Sequence, residues 1–446
     1  MRGGADRRSL GWKASPRRGL GIASGSLIEK AERRAARQGK SYPSLPCRSN
    51  TPAGFRSDFR WVINPPVELP GPAVARIDLG ALVANYSLAR RLAGHRSVIA
   101  VVKADAYGHG AARVARTLAR AGCECLAVAR VGEAAELREA AVALPILVLC
   151  GVQDPEEARA ALALGTTPVV HHEGHLALLR DAARRRGARA AVHVEVDTGM
   201  HRLGVSAESA AAFLASVARD PNLRLEGAFT HLARADEEDL GPSIEQLRAL
   251  RRLLGDAARL GARPASIHAV NSAGLLAGEP LAKELPEATA VRPGLMLYGV
   301  DPRPGRAPGP ASLRPVMTLA TRVVQVRDVR PGEAVGYGAV WRAPAPTHVA
   351  TLAIGYADGV PWSLANRGEV LLRGRRVPII GRVSMDLITV DAGEAQVFVG
   401  DEAIVFGEGL PVEEVAACAG TLPYELVTRV GARVPRVAEG EGSAAV

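Results

Sequence analysis

A lysine at the end of a short apolar run has the setting in this chain that best suits covalent chemistry. Residues 98–102 are five consecutive apolar residues, mostly β-branched, and Lys103 follows them directly. A run of this kind predicts a buried strand with Lys103 at its carboxyl end. Partial burial lowers the pKa of an ammonium group and leaves a nucleophilic amine, as a Schiff-base lysine requires. The alternative is a strand-end lysine that simply extends its charge into solvent.

The middle of the chain alternates between short apolar segments and helical patterns, and this alternation should position Lys103. Eight segments of strand length cover residues 98–103, 125–129, 145–150, 167–171, 190–196, 225–230, 265–270 and 290–292. Eight alternating units predict an α/β fold of the (β/α)8 TIM-type barrel class. A doubly wound sheet is the alternative, but no GxGxxG sequence follows the first strand. A further strand at 74–79 and a helix at 79–92 precede this series.

Beyond a Pro/Gly-rich linker at 301–315 the pattern changes to strands without intervening helices. Six candidate strands cover residues 316–326, 348–354, 369–372, 377–383, 388–390 and 402–406, with one helix at 411–419. These features predict a mainly β C-terminal domain. We therefore expect a basic, disordered extension over 1–72, a barrel over 73–310, the β domain over 311–437 and a flexible tail over 438–446. A transit peptide and an over-long gene start are both compatible with the extension.

Charge, hydropathy and cysteine content argue against several classes of protein. The net charge of +10 is concentrated in the first 70 residues, which carry +9, so the remainder is nearly neutral and predicts no nucleic-acid partner. No apolar run approaches the roughly 18 residues of a membrane span. Five cysteines without a paired framework fit a reduced, cytoplasmic protein. We predict no metal site, and we expect His171, His172 and His175 to be surface residues.

Polar residues that follow the predicted barrel strands should meet at one mouth of the barrel. Arg202, His231, Ser272 and Arg292 follow the fifth, sixth, seventh and eighth strands, and Lys103 ends the first. Active sites of such barrels lie at the carboxyl ends of the strands. The five side chains are therefore candidates for a common site.

Nine segments of the chain, taken together and in order, resemble the alanine racemase family. They are AVVKADAYGHG, DTGMHRLGV, FTHLARADEED, NSAG, VRPGLMLYG, VGYG, IGYADG, GRVSMD and PYELVTRVGARVPR. Each motif alone is weak, but the set spans about residues 73–437. The resemblance implies a homodimer that uses pyridoxal 5'-phosphate (PLP) to interconvert L- and D-alanine for peptidoglycan. It also implies active sites shared between the two subunits.

The resemblance also implies roles for individual residues. Lys103 would bind PLP covalently and act as one base, and Tyr337 of the partner subunit would be the opposite base. Two bases suit racemisation, because the proton leaves one face of the carbanion and returns to the other. His231 would assist Tyr337 and meet Arg292, whose guanidinium faces the pyridine nitrogen. The remaining implied contacts are those with phosphate, from Tyr107, Ser272, Tyr424, Gly294 and Leu295, and those with substrate, from Arg202, Met385 of the partner subunit and Tyr356.

Three residues depart from the family pattern. Glu195 stands where many members carry a lysine that becomes carbamylated, and we expect it to pair directly with Arg202 without carbamylation. His201 occupies a usual glycine position, for which the sequence offers no physical account. Ser384 replaces a common cysteine beside Met385.

Other functions and other roles for these residues are compatible with parts of the pattern. A racemase with a broader amino-acid range would share the scaffold, and relative rates on alanine, serine and lysine would separate the two. A non-catalytic PLP-binding protein resembles the barrel alone, so the β domain with Tyr337 and Met385 argues against it. A related decarboxylase would release carbon dioxide. Individually, Arg202 and Arg292 also suit rim salt bridges, and Tyr337 and Tyr356 suit ordinary strand positions.

Overall fold

A computed structural model describes residues 71–303 and 313–440, which form a closed barrel followed by a mainly β domain. The predicted fold class is confirmed. Residues 1–70 of the predicted extension, residues 304–312 of the predicted linker and residues 441–446 of the predicted tail lie outside the described residues. Among the described helices, none is long and apolar enough to cross a membrane.

Within residues 71–303, eight parallel strands close into the barrel in sequence order. They are β2 (Ser97–Val101), β3 (Cys125–Val128), β4 (Ile146–Val148), β5 (Thr167–Val170), β6 (Ala190–Asp197), β8 (Leu223–Phe229), β9 (Ser266–His268) and β10 (Ala290–Val291). Pairing of β10 with β2 and of β5 with β6 completes the circle. The short strand β7 (Val205–Ser206) extends the edge of β6. The continuous burial of β2, β3 and β4 matches the apolar runs expected of parallel strands that are covered on both faces.

Helices surround the barrel and connect its strands. They are α1 (Leu79–Ala93), α2 (Ala111–Arg120), α3 (Val131–Glu139), α4 (Pro155–Ala163), α5 (Glu173–Arg186), α6 (Ala207–Arg219), α7 (Gly241–Arg259), α8 (Ser272–Ala277) and α9 (Glu279–Ala282). Local sequence sets several of their ends. The Asp154 carboxylate accepts hydrogen bonds from two amides at the start of α4, and Gly187 ends α5 in the left-handed conformation that glycine favours.

The second domain is built on a sheet that also includes the first described strand of the chain. Its strands are β11 (Met317–Val329), β14 (Thr347–Leu352), β15 (Glu369–Leu372), β16 (Arg375–Ile380), β17 (Ile388–Gly393), β18 (Glu402–Phe406) and β19 (Arg436–Glu439), with β1 (Val74–Asp78) between β11 and β19. A separate hairpin joins β12 (Ala334–Val335) to β13 (Trp341–Arg342). Two helices, α10 (Val412–Ala419) and α11 (Pro423–Thr428), complete the domain.

Strand β1 precedes the barrel in sequence but pairs with the second sheet. It runs antiparallel to β11 and parallel to β19. The burial of β1 alternates along its length, as expected for a strand with one covered face, whereas β2 is buried continuously. Ala438 and Glu439, which the sequence assigns to a flexible tail, belong to β19. The sequence pattern also lacked a signal for α11.

The contact between residue 108 and α11 predicts a stability difference between two glycine substitutions. Gly187 and Gly108 both have left-handed φ angles, of +65° and +80°, but only a Cβ at residue 108 would overlap another group, the Val427 carbonyl. Gly187→Ala is expected to cost about 1 kcal/mol in unfolding free energy from backbone strain alone. Gly108→Ala is expected to cost at least about 2 kcal/mol more, because backbone must move. Urea denaturation of both variants measures the difference, and equal losses would contradict the described contact.

Candidate active site

The backbone reverses its hand immediately after Lys103. Residues Ala104 to Tyr107 all have φ between 52° and 54° and form a left-handed turn, Lys103–Gly108, rather than a continuation of the strand. The strand therefore ends at Val101, two residues before the predicted end. Left-handed backbone costs L-residues about 1–2 kcal/mol each, so other contacts must hold this turn in place.

Side chains and backbone from both domains hold the left-handed turn. The Asp105 carboxylate accepts a hydrogen bond of 2.6 Å from the Ala111 amide at the start of α2. The buried His109 ring donates from Nδ1 to the carbonyls of Ala106 and Tyr107. From the second domain, Arg436 Nε donates to the Gly108 carbonyl over 3.1 Å. The turn that begins with Lys103 is thus fixed from several directions.

Lys103 lies among other positive charges at the carboxyl end of the barrel. Burial lowers the pKa of its ammonium group, and the positive charge of Arg202 lowers it further. His231 experiences the same cluster: burial, followed by the charges of Arg292, Arg202 and Lys103, lowers its pKa to about 3. Three positively charged residues that were predicted from the sequence, Lys103, Arg202 and Arg292, therefore lie around the neutral His231 ring.

Arg292 is buried and makes its contacts without a carboxylate partner among the described residues. Its NH2 group donates to the Thr230 carbonyl over 2.9 Å and faces His231 Nδ1 at 3.3 Å. Its NH1 group donates to His268 Nδ1, and the guanidinium lies 4.5 Å from the centre of the Phe229 ring. Burial lowers its pKa to about 10, so the group stays protonated at neutral pH. A rim salt bridge, the alternative for this residue, is therefore wrong.

Arg292 and His231 each retain an N–H group that has no acceptor among the described residues. The Nε–H of Arg292 donates to no group in the described part of the chain. Because His231 Nδ1 accepts from Arg292, the neutral ring carries its proton on Nε2, which also has no acceptor in residues 71–303 and 313–440. Both N–H groups can bind a ligand or a further side chain.

A second group of residues forms a cradle suited to an anion. The Ser272 hydroxyl oxygen accepts hydrogen bonds from the amides of Gly294 and Met296, at 2.8 and 3.3 Å, so its own O–H is available to an acceptor. Leu295 begins a 3-10 turn, Leu295–Tyr298, whose first amides have no partner within the turn. A Cβ at Gly294 would overlap the Tyr107 hydroxyl, which places that hydroxyl beside the same backbone. This donor set fits a phosphate group.

Aromatic stacking orients the tyrosines at this cradle. The Tyr107 ring lies 4.9 Å from Tyr298 and 6.3 Å from Tyr424, centre to centre. The Tyr298 hydroxyl donates to the Val101 carbonyl at the end of β2. Burial raises the pKa of Tyr424 to about 12 and raises that of Tyr107 further, so both phenols stay protonated and can donate.

Three predicted site residues lie on the second domain and are exposed. Tyr337 is 71% exposed, Met385 53% and Tyr356 47%. Tyr337 begins a 3-10 turn, Tyr337–Ala339, directly after β12, and Tyr356 begins another, Tyr356–Asp358. In the described part of the chain, no hydrogen bond or ring contact joins the Tyr337 side chain to the barrel residues of the same chain. Within one chain, the barrel residues of the predicted site lie together, but the Tyr337 side chain forms no hydrogen bond or ring contact with them in the described residues.

The loop that carries Arg202 is folded around Asp197. The Asp197 carboxylate accepts hydrogen bonds from the amides of Gly199, Met200 and His201, each at 3.0 Å. Burial raises the pKa of Asp197, but these bonds and the His201 ring lower it overall. His201 has a φ of 55°, which explains why a glycine suits this position. Its ring lies 3.0 Å from Asp197 Oδ2, a contact that glycine lacks.

Glu195 pairs with His171, not with Arg202 as the sequence analysis expected. Glu195 Oε2 lies 3.2 Å from His171 Nδ1, and both side chains are buried. Arg202, exposed on its loop, forms no ion pair within the described ranges. The other ring nitrogen of His171, Nε2, lies 3.0 Å from the Leu149 carbonyl oxygen. The Glu195 carboxylate is therefore held beside the His171 ring and forms no ion pair with Arg202 in the described residues.

The surface assignment for the three clustered histidines is wrong for two of them. His171 and His175 are buried, whereas His172 is exposed. Burial and the neighbouring histidines lower the pKa of His175 to about 4. Among the described residues, no group of three or more potential ligands has the arrangement of a metal site.

Two histidines, His193 and His268, extend the contacts of Arg292 through the barrel interior, and neither was among the residues predicted from the sequence. His268 Nε2 and His193 Nδ1 are 2.9 Å apart, and both rings are buried. Because Arg292 donates to His268 Nδ1, the His268 proton sits on Nε2 and is donated to His193. One sequence feature could have pointed to His193: it lies two residues before Glu195 on β6, and this spacing places both side chains on the same face of the strand.

The buried histidines predict a loss of stability in acid. Burial, followed by the charge of Arg292, lowers the pKa of His193 to about 3, against an ordinary value of 6.5. Below pH 6.5 the unfolded chain binds a proton that the folded chain excludes. The unfolding free energy should then fall by up to about 1.4 kcal/mol per pH unit for this residue, until the pH approaches 3.

Two histidine substitutions test this effect. His193→Asn keeps an acceptor for His268 and removes the titrating ring, so the unfolding free energy of this variant should depend less steeply on pH between 6.5 and 4 than that of the wild type. The exposed His95 offers a matched control, His95→Asn, which should keep the wild-type slope. Denaturant unfolding across this pH range measures both slopes. An unchanged slope in His193→Asn would show that the ring titrates normally in the folded protein.

Comparisons with known proteins match both domains of the chain. The family described as alanine racemase, N-terminal domain, matches residues 77–302, and alanine racemase, C-terminal domain, matches residues 316–438. An alanine racemase from Syntrophobacter fumaroxidans is 43% identical over 80% of this chain and 94% of its own length. Another from Sorangium cellulosum is 41% identical over 82% of this chain and 98% of its own length.

Solved structures of alanine racemases also match this chain. The alanine racemase of a D-cycloserine-producing Streptomyces lavendulae superimposes with a TM-score of 0.77, at 36% identity over 84% of this chain and 98% of that one. The alanine racemase from Bartonella henselae with covalently bound pyridoxal phosphate has a TM-score of 0.75, at 31% identity over 83% of this chain and 100% of that one. The chain therefore belongs to the alanine racemase family, a family of PLP-dependent isomerases.

Proposed function

We propose that this chain interconverts L- and D-alanine with Lys103 and Tyr337 as its two bases and PLP as its cofactor. The observation that carries the proposal is the convergence of Lys103, Arg202 and Arg292 around a neutral His231. Three cations at one barrel mouth suit a cofactor phosphate and a substrate carboxylate. D-Alanine made in this way would supply peptidoglycan synthesis.

The described residues fit PLP. Lys103, with its lowered pKa, would bind the cofactor covalently. The free O–H of Ser272, the hydroxyls of Tyr107 and Tyr424 and the amides of Gly294 and Leu295 would hold the phosphate. When bound, PLP supplies an electron-accepting ring that stabilises negative charge at the substrate Cα.

Arg292 would control how far the cofactor ring accepts charge. Its unused Nε–H can donate to the pyridine nitrogen, while NH1 and NH2 are held by His268, His231 and two carbonyls. A guanidinium with a pKa of about 10 gives up its proton much less readily than a carboxylic acid. Arg292 would therefore leave the nitrogen of a bound pyridine ring unprotonated, which would suppress side reactions such as transamination.

His231 would convert Tyr337 into a base. A phenol with an ordinary pKa of about 10 is a weak base at neutral pH. The neutral His231 ring has an Nε2–H available to donate to the Tyr337 oxygen, and the nearby positive charges also favour the phenolate. Lys103 would act on the opposite face, so that one group removes the α-proton and the other returns one.

The substrate carboxylate would be bound by Arg202 and by the amide of Met385 of the partner subunit. Arg202 has no ion-pair partner within the described ranges, so its guanidinium is available. Tyr356 would narrow the entrance and favour a methyl-sized side chain. Glu195 lies beside His171 and forms no ion pair with Arg202 in the described residues, which leaves that guanidinium to the substrate.

The proposed assembly is a homodimer in which each active site takes residues from both subunits. The exposure of Tyr337, Met385 and Tyr356 supports this arrangement, as does the lack of a hydrogen bond or ring contact between Tyr337 and the barrel residues in the described part of the chain. We also propose a cytoplasmic location, which the free thiols of Cys123, Cys125, Cys150 and Cys418 support. For the domains we propose a barrel over 73–310 and a mainly β domain from 311, extended beyond the predicted limit of 437 to include the whole of β19 and joined by β1.

Formation of D-alanine by the purified protein tests the proposed reaction. L-Alanine is incubated with the PLP-loaded enzyme, and chiral chromatography follows the enantiomers. Wild type should produce an equal mixture of the two, and Lys103→Ala should lose at least about 1000-fold in rate, because it lacks both a base and the cofactor anchor. A wild-type enzyme that binds PLP but makes no D-alanine would contradict the proposal.

Mixing two inactive variants tests the shared site. In a mixed dimer of Lys103→Ala and Tyr337→Phe, one of the two sites would contain both native residues. After refolding an equal mixture, about a quarter of wild-type activity should return, because about half of the dimers are mixed. Each variant refolded alone is the control. Absence of recovery, with mixed dimers verified by mass spectrometry, would place Tyr337 and Lys103 of one site on the same subunit.

A further inference from the structure

Glu133 bonds to the backbone at two places around the beginning of the left-handed turn. It lies in the first turn of α3, beyond β3, and its side chain is partly buried. Oε1 accepts a hydrogen bond of 2.7 Å from the amide of Ala104, the residue after Lys103. Oε2 accepts from the amides of Ala129 and Arg130, at 2.6 and 3.0 Å. One carboxylate thus joins the end of β3 to the segment that follows β2.

The Ala104 amide receives no acceptor from the turn that it begins. The first regular bond of the turn runs from the Ala106 amide to the Val102 carbonyl. Ala104 is exposed, so without Glu133 this amide would bond to water, which fixes no direction for the peptide group. Glu133 satisfies this donor and fixes the peptide group that directly follows Lys103.

We propose that Glu133 is a positioning residue for Lys103. By holding the Ala104 amide it sets the direction in which the Lys103 side chain leaves the backbone, and so where the amine lies relative to the substrate Cα. The proposal rests on the proposed function for its catalytic consequence. The hydrogen bond itself can be tested without activity.

A purely electrostatic role for Glu133 makes a different prediction. Its negative charge raises the pKa of Lys103, but burial and the charges of Arg202 and Cys150 have larger effects. If charge were its main contribution, any carboxylate nearby would serve. If positioning is its contribution, the side chain must reach Ala104 on one side and Ala129 and Arg130 on the other.

Two variants separate charge from reach. Glu133→Gln has the same shape, but its NH2 group must face amide donors on one side, so one set of bonds is lost. Glu133→Asp keeps the charge but is one methylene shorter, so it cannot reach both sets of amides. Glu136→Gln provides a matched control, because Glu136 is exposed on the same helix.

The experiment measures hydrogen exchange and kinetics on the PLP-loaded enzymes. In both Glu133 variants, the peptide covering residues 104–108 should exchange at least about 10-fold faster, while peptides from β6 and β11 keep wild-type rates. The kcat should fall about 10- to 100-fold with little change in KM, and the midpoint of the pH profile of kcat/KM should stay in place. Glu136→Gln should match wild type throughout.

Three results would overturn the proposal. The first is wild-type exchange at residues 104–108 in both Glu133 variants. The second is a fully active Glu133→Asp beside a Glu133→Gln whose pH profile is shifted, which would show a role through charge. The third is faster exchange throughout the barrel, which would show a general structural role. If wild type makes no D-alanine, the proposed function fails, yet the exchange data still report whether Glu133 holds the turn.

Discussion

The reversal of backbone hand after Lys103 is the constraint on which the rest of the site depends. Four consecutive L-residues in left-handed conformation cost about 1–2 kcal/mol each, and no local preference of Ala, Asp or Tyr repays this. The hydrogen bonds that stabilise the turn come from Glu133 of α3 in the barrel and from Arg436 of the second domain, and the backbone of Val427 lies close to Gly108. The position of Lys103 therefore requires that both domains be folded and in contact.

Electrostatics gives this site its second property, an excess of positive charge that anionic ligands can neutralise. Arg292 is buried without a carboxylate bonded to it in the described residues, and the Glu195 carboxylate lies beside His171 instead. Burial keeps His231, His268 and His193 uncharged, so each ring offers one donor and one acceptor of fixed direction. Arg292 fixes these directions, because it occupies one nitrogen of both His231 and His268.

The sequence predicted the features that depend on local pattern and on motif. The alternation of eight apolar segments with helices predicted the barrel. The positions of Lys103 and Arg292 at the ends of predicted strands made them candidate site residues. It could not predict what depends on tertiary contact. Strand β1 joins the second sheet through β19, which is more than 350 residues away, and Glu195 meets His171 across adjacent strands rather than its neighbour Arg202. The left-handed turn was also missed, because contacts from Glu133, Val427 and Arg436 override local propensity there.

Isotope exchange tests most directly whether two bases act on opposite faces of one substrate. Tyr337→Phe enzyme is incubated in heavy water with pure L-alanine and, separately, with pure D-alanine, and mass spectrometry follows deuterium at Cα. With Lys103 intact and its counterpart removed, one enantiomer should gain deuterium with its configuration retained, while the other exchanges at least about 100-fold more slowly. Equal exchange of both enantiomers, or racemisation at the wild-type rate, would contradict the account.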